Sequence, residues 1–293
     1  MKVGVTSRSF SKNAFLKSEL LKKYPNSKFN DEGIVFTKKT LINFLSDCDK
    51  AITALETIDA RILSDLPNLK VISKYGVGLD MLDLHAMSKF NVKLGWQGGV
   101  NKRAVSELVI CYAISVLRHV PIASTEVSEG IWQQHKGNLL TDKTFGIIGF
   151  GNIGRDVAEL LEPFKCKVLV YDIVEPHLSS ESKRIEGVSL EHLLKNSDLV
   201  SLHLPLNEHT AVIIDRSRLE MMQKHAILIN LSRGGLVDEA ALKEALISKQ
   251  IAGAAFDVFA EEPPQDTELL NCINLLATPH IGGLAKESII LSA

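Results

Sequence analysis

TFGIIGFGNIG, residues 144–154, decides how this chain folds. Five mostly apolar residues run straight into Gly149, Gly151 and Gly154, spaced as GxGxxG, and the stretch that follows carries Ile153, Val157, Leu160 and Leu161 at helical spacing. Pro163 ends that helix and KVLVYD (167–172) reads as the next strand, so residues 144–172 close a βαβ unit of ordinary size. In such a unit the glycines permit a tight turn, close approach of a pyrophosphate to the backbone, and close packing of helix on strand. The helix N-terminus adds N–H donors and partial positive charge. The motif in this setting therefore predicts a dinucleotide site. Asp172 ends the second strand, 18 residues beyond Gly154. There it can accept hydrogen bonds from ribose hydroxyls and repel a 2′-phosphate, and Ile173 and Val174 supply no arginine to neutralise one, so NAD is expected over NADP.

Working outward, short β-branched runs alternate with helical patterns along the whole chain. KVGVT (2–6), KAITAL (50–55), KVISKY (70–75) and NVKLGW (91–96) form one series. TFGIIGF (144–150), KVLVYD, SDLVSLHL (197–204), HAILIN (225–230), IAGAAFDV (251–258) and INLLATP (273–279) form a second. Alternation of this kind predicts an α/β fold with parallel sheets covered by helices. At roughly 150 residues per domain, 293 residues suggest two domains. The boundary is expected near WQGGVN (96–101): residues 1–99 with the tail 284–293 make a flavodoxin-like substrate-binding domain, and 100–283 a Rossmann NAD-binding domain.

Composition narrows the function classes. Hydrophobic residues at 45% and charged residues at 23% are average for globular proteins, and a net charge of −2 gives no basic footprint for nucleic acid or an anionic membrane. The longest apolar run, LVICYAISVL (108–117), falls short of the ~20 residues a membrane span needs and reads as a buried helix. Cys48, Cys111, Cys166 and Cys272 stand apart, with no zinc or disulfide pattern, and MKVGVTSRSF reads as a first strand and not as an export signal. A cytoplasmic protein without a metal, acting on a small molecule, is expected.

In a doubly wound sheet, ligands sit beyond the carboxyl ends of the strands. His203 and Pro205 follow one strand of the second series, and His203 is a candidate for lining the cofactor pocket. Arg233 follows another in LSRGG; Asp257 ends IAGAAFDV, with Glu262 shortly after; His280 follows INLLATP. An Arg, a Glu and a His on one rim are what reduction of a 2-oxo acid requires. Arg233 would bind the substrate carboxylate and carbonyl oxygen with its planar fork, and His280 would donate the proton as hydride arrives on carbon. Glu262 would hold the imidazole and favour its charged form. Each residue also has an ordinary alternative as a loop or surface side chain.

These residues sit in a series of motifs that resembles the D-isomer-specific 2-hydroxyacid dehydrogenase family: KYGVGLDMLD (74–83), VNKRAVSELVI (100–110), GIIGFGNIG (146–154), SLHLPLNEHT (201–210), INLSRGGLVDEAAL (229–242), AAFDVFAEEP (254–263) and TPHIGG (278–283). The resemblance implies that Arg233, Glu262 and His280 are catalytic. It implies dinucleotide contacts at Gly149, Gly151, Asn152, Ile153, Gly154, Asp172, His203, Pro205, Leu231, Ser232, Asp257, Gly282 and Gly283, with Asp257 facing the nicotinamide carboxamide. The backbone of Val77 and Gly78, with Lys74 nearby, resembles the family's substrate-carboxylate cradle, and Arg233 and His280 complete the substrate contacts.

It further implies an active site in the cleft between two domains, a 2-oxo/2-hydroxy acid substrate of the 3-phosphoglycerate, hydroxypyruvate or glyoxylate type, and a homodimer through the NAD domain. Ser106 and Asp142 depart from the usual Ala and Gly without touching chemistry, and Glu262 argues against the formate dehydrogenase branch. The chain stops ten residues after Gly283, where family members continue with a further helix, and a C-terminal regulatory domain is not expected. The alternative from another class is a non-catalytic NAD(H)-sensing protein of the corepressor type, which shares the fold and the trio.

Overall fold

The computed structural model describes residues 1–174 and 184–291. The chain divides into two compact units, Met1–Asn101 with Ala285–Ala293, and Lys102–Leu284.

The first unit runs β1 (Val3–Val5), α1 (Arg8–Lys12), α2 (Ala14–Lys23), β2 (Lys28–Phe29), α3 (Lys38–Leu45), β3 (Lys50–Thr53), α4 (Ala60–Ser64), β4 (Val71–Lys74), α5 (Leu84–Lys89) and β5 (Lys93–Gly95). Its five strands are parallel in the order β2-β1-β3-β4-β5, the flavodoxin-like arrangement. Side-chain oxygens start its helices: Asn13, Thr37, Asp59 and Asp83 each accept a backbone N–H at an N-cap. Leu41, Leu45, Ile58, Ile62, Leu69, Ile72 and Met87 fill one of its cores.

The second unit opens with α6 (Lys102–Leu117) and α7 (Val120–Ser128), followed by β6 (Thr144–Ile148), α8 (Asn152–Leu161), β7 (Lys167–Tyr171), β8 (Ile185–Gly187), α9 (Leu190–Asn196), β9 (Leu199–Leu202), α10 (Arg216–Met221), β10 (Ile227–Asn230), α11 (Glu239–Ile247), β11 (Gly253–Phe256), α12 (Thr267–Leu270) and β12 (Leu275–Ala277). The final helix of the described chain, α13 (Lys286–Leu291), belongs to the first unit. The seven strands are parallel in the order β12-β11-β10-β9-β6-β7-β8. The order reverses between β6 and β9, the switch point where a Rossmann sheet opens its ligand crevice.

The apolar runs of this sheet are continuous because both faces are covered. Alternate residues part to opposite sides. Phe145, Ile147, Val168, Val170, Ile229 and Ala255 pack in the core under α6 and α8, and Leu169, Val200, Leu202, Leu228, Ala254 and Phe256 in the core under α9 to α11. The apolar stretch 108–117 is the body of α6, with Val109, Tyr112, Ala113 and Leu117 buried. No single helix among the described residues is long and apolar enough to cross a membrane, and α6 and α7 meet at a bend of 65°. Two strands lie outside the sequence expectation, β2 and β8, each of two or three residues and at a sheet edge.

Candidate active site

At the switch point the chain leaves β6 through GFGNIG. Gly149 has φ +97°, a region L side chains rarely adopt, and a Cβ there would lie 2.5 Å from the His203 carbonyl oxygen. Gly154 is fixed by space: its Cβ would stand 2.2 Å from the Gly149 carbonyl oxygen. Gly151 differs from both, since a Cβ there would meet nothing within 4 Å. Gly151 is also the N-cap of α8, and no side chain caps this helix. An open backbone concavity at an uncapped helix N-terminus suits a pyrophosphate, so Gly151, Asn152 and Ile153 fit the dinucleotide.

Asp172 follows β7 and is half-buried. Its Oδ2 accepts the Phe150 N–H at 2.6 Å and its Oδ1 the Val174 N–H at 3.1 Å. Asp172 thus braces the glycine-rich turn it faces, and each oxygen keeps a further lone pair for a hydroxyl donor. His203, after β9, bonds through Nε2 to Ser201 Oγ at 3.0 Å, and its Nδ1 is sealed from water with no partner among the described residues. Burial pushes this imidazole down to about 3, so the ring is neutral at working pH. Pro205 follows, its carbonyl accepting the Thr210 hydroxyl.

Three neighbouring strands deliver the residues expected to carry the acid–base chemistry. At the end of β10, the fully buried Asn230 accepts the Ser232 N–H at 3.0 Å and donates to the Arg233 carbonyl at 2.8 Å, and the Ser232 hydroxyl donates to the Leu202 carbonyl at 2.6 Å. Leu231, Ser232 and Arg233 are set by this small network. Gly234 then presses against the loop after β11, where its Cβ would lie 1.8 Å from the Phe259 carbonyl carbon. Glu239, at the start of α11, accepts the Ala260 N–H at 2.6 Å, and burial raises its carboxyl above the usual range. Glu262, on the same loop, accepts the Phe259 N–H at 3.2 Å with Oε1 and meets His280 Nδ1 at 2.8 Å with Oε2.

His280 follows β12 with φ +54°, uncommon for a non-glycine residue. Asp257 holds it there. The Asp257 carbonyl accepts the His280 N–H at 2.9 Å, and its carboxylate, 1% exposed, accepts the Ile281 N–H at 2.8 Å and the Gly282 N–H at 2.7 Å. Gly283 follows, half-buried. Asp257 is therefore a brace for the histidine loop whatever it does toward a cofactor. With Nδ1 taken by Glu262, the half-exposed His280 side chain has Nε2 left for a reacting group.

The structure thus gathers Arg233, Glu262 and His280 on loops after adjacent strands and locks two of those loops together through Gly234. In the first unit, Lys74 ends β4 with 8% exposure and its ammonium donates to the Ala54 carbonyl. The Trp96 indole N–H donates to the Val77 carbonyl at 2.9 Å.

Residues 110–282 match the family model described as "D-isomer specific 2-hydroxyacid dehydrogenase, NAD binding domain". The chain belongs to that family. It is an NAD-dependent oxidoreductase of 2-hydroxy acids and their 2-oxo partners. Among its relatives, the hydroxypyruvate reductase of Thermotoga maritima is 36% identical over 257 residues, covering 86% of this chain and 83% of that protein. The D-3-phosphoglycerate dehydrogenase of Methanocaldococcus jannaschii is also 36% identical, over 256 residues, but the chain spans only 49% of its length. Among solved structures, an acyclic imino acid reductase in complex with NADPH and D-Arg superposes with a TM-score of 0.90 at 25% identity, covering 100% of this chain and 93% of that one.

That neighbour holds NADPH, so cofactor choice in this dehydrogenase turns on its own residues. Asp172 is the residue expected to discriminate, and the predicted result is specific. The wild type should prefer NADH, and Asp172→Ala should narrow the NADH-to-NADPH ratio of kcat/KM at least ~10-fold, the value of one hydrogen bond to a charged group. Steady-state kinetics with both cofactors check it, and an unchanged ratio removes Asp172 from the choice.

Proposed function

We propose that this dehydrogenase reduces a small 2-oxo acid of the glyoxylate, hydroxypyruvate or 3-phosphohydroxypyruvate type to its 2-hydroxy acid. The observation that carries the reading is the 2.8 Å contact between His280 Nδ1 and Glu262 Oε2 on the same rim as Arg233. NADH, when bound, supplies the hydride. Arg233 holds the substrate carboxylate and carbonyl oxygen; its guanidinium offers two parallel N–H donors, which an ammonium cannot copy. His280 donates from Nε2 to the carbonyl oxygen as that oxygen gains charge, and Glu262 fixes the ring and stabilises the imidazolium. In the reverse direction the same nitrogen takes the hydroxyl proton. Gly149, Gly151, Asn152, Ile153, Gly154, Asp172, His203, Pro205, Leu231, Ser232, Asp257, Gly282 and Gly283 are assigned to the cofactor; Lys74 and the Val77 and Gly78 N–H groups are assigned to the substrate carboxylate. The test is kcat/KM with NADH for glyoxylate, hydroxypyruvate, 3-phosphohydroxypyruvate and pyruvate. Turnover of one of the first three is expected, and failure of all of them overturns the reading.

The partner proposed for the NAD unit is a second copy of the chain. Helix α7 buries no residue. Val120 and Val127 on it, with Ile131, Trp132 and Leu139 beyond it, are 49%, 54%, 49%, 82% and 67% exposed. An apolar band of this kind marks an association surface. Light scattering should give a dimer, and Trp132→Lys should shift it toward monomer; a wild-type monomer contradicts the assignment.

A further inference from the structure

Tyr112 lies on α6, is 3% exposed, and reaches across the sheet edge to Thr278, in hydrogen-bond contact with its hydroxyl. Thr278 in turn donates to Asp257 Oδ1 at 2.5 Å. A threonine hydroxyl has one proton, so with that proton committed to Asp257 the Tyr112 O–H must donate to Thr278. Burial pushes the Tyr112 phenol up to about 12, which keeps this donor protonated throughout the working range. The chain of donors therefore runs one way, from Tyr112 to Thr278 to the carboxylate that also accepts the Ile281 and Gly282 N–H groups.

We propose that Tyr112 is a positioning residue for His280, acting through Thr278 and Asp257. The proposal rests on the reading of His280 as proton donor. His280 occupies the left-handed region at φ +54° and is gripped on both sides by one residue, its own N–H by the Asp257 carbonyl and the following two N–H groups by the Asp257 carboxylate. A carboxylate bound by two N–H groups along one edge can still tilt. The Thr278 hydroxyl fixes the tilt, and the Tyr112 hydroxyl fixes the rotor of Thr278. Tyr112 touches no reacting group, and its ring packs with Val109, Ala113 and Ile147 in the core under α6. Only its oxygen serves the site. Removing that oxygen leaves Thr278 free to rotate away from Asp257, and a misplacement of about 1 Å at a proton donor costs up to ~10²-fold in rate.

Tyr112→Phe keeps the ring and removes the hydroxyl. With NADH and the best 2-oxo acid, kcat should fall by ~10-fold or more, well beyond any rise in the NADH dissociation constant from fluorescence titration, since Asp257 is itself assigned to the cofactor. Thr278→Val should show the same loss and Thr278→Ser, which keeps the donor, should restore the wild-type rate. The discriminating measurement is made in the His280→Ala background, where Tyr112→Phe should cost nothing further, since no imidazole remains to be positioned. Wild-type kcat in Tyr112→Phe overturns the proposal, as does a full additional loss in the His280→Ala background. Undiminished turnover by His280→Ala alone removes both the proposal and the reading beneath it, whereas failure of the Tyr112 arm with a crippled His280→Ala removes only the proposal.

Discussion

His280→Ala is expected to lower kcat by 10²- to 10⁴-fold, the usual worth of a positioned general acid, and to leave NADH affinity intact. The separation follows from how the residue is held. Its loop is fixed through backbone N–H groups to Asp257, so truncation at Cβ takes away the imidazole without releasing residues 280–282. What disappears is the nitrogen proposed to meet the developing alkoxide, together with the N–H that donates to Glu262 Oε2. Glu262 retains its bond from the Phe259 N–H, so its loop has a second anchor. Steady-state rates and an NADH titration on the same variant check both halves. A rate within a few-fold of wild type would take His280 out of the mechanism.

Gly234→Ala is the second large effect, and it acts on two residues assigned to catalysis through one methyl group. The added carbon would sit 1.8 Å from the Phe259 carbonyl carbon and 2.1 Å from the Ala260 nitrogen, both backbone atoms of the loop that carries Glu262. Neither can rotate aside, so the Arg233 turn and the 259–262 loop must separate. Overpacking of this kind costs about 1–3 kcal/mol or more of stability, and the displacement of both side chains should lower kcat/KM at least ~10²-fold. Gly235→Ala is the control: its Cβ would meet only the Leu206 side chain, at 3.2–3.3 Å, and that side chain is 40% exposed and can yield. Wild-type activity in Gly234→Ala would contradict the locked-loop geometry.

The α/β architecture is legible in the sequence because parallel strands buried on both faces are written as unbroken apolar runs, as in TFGII and HAILIN. β2 and β8 escape that reading for the opposite reason. Two or three half-exposed residues at an edge, KF and IEG, carry no periodicity to detect. In the site, residues that follow strand ends could be found by position, so Arg233, Glu262 and His280 are readable as candidates. The side chains that hold them are not. Tyr112 and Thr278 stand 166 positions apart, and Asn230, Glu239 and the carboxylate of Asp257 act on backbone groups brought near only by the fold. No local pattern encodes such pairs. Asp172 shows the limit from the other side: its place after β7 is plain in the sequence, but its hold on the Phe150 N–H appears only in three dimensions.

The account stands most directly on one assay, in which NADH loss and D-2-hydroxy acid formation are followed together in the same reaction, with the best 2-oxo acid whose product is chiral. Equal amounts of NADH consumed and D product formed are predicted. NADH that binds but is not consumed with any 2-oxo acid, or is consumed without the D product appearing, would contradict it.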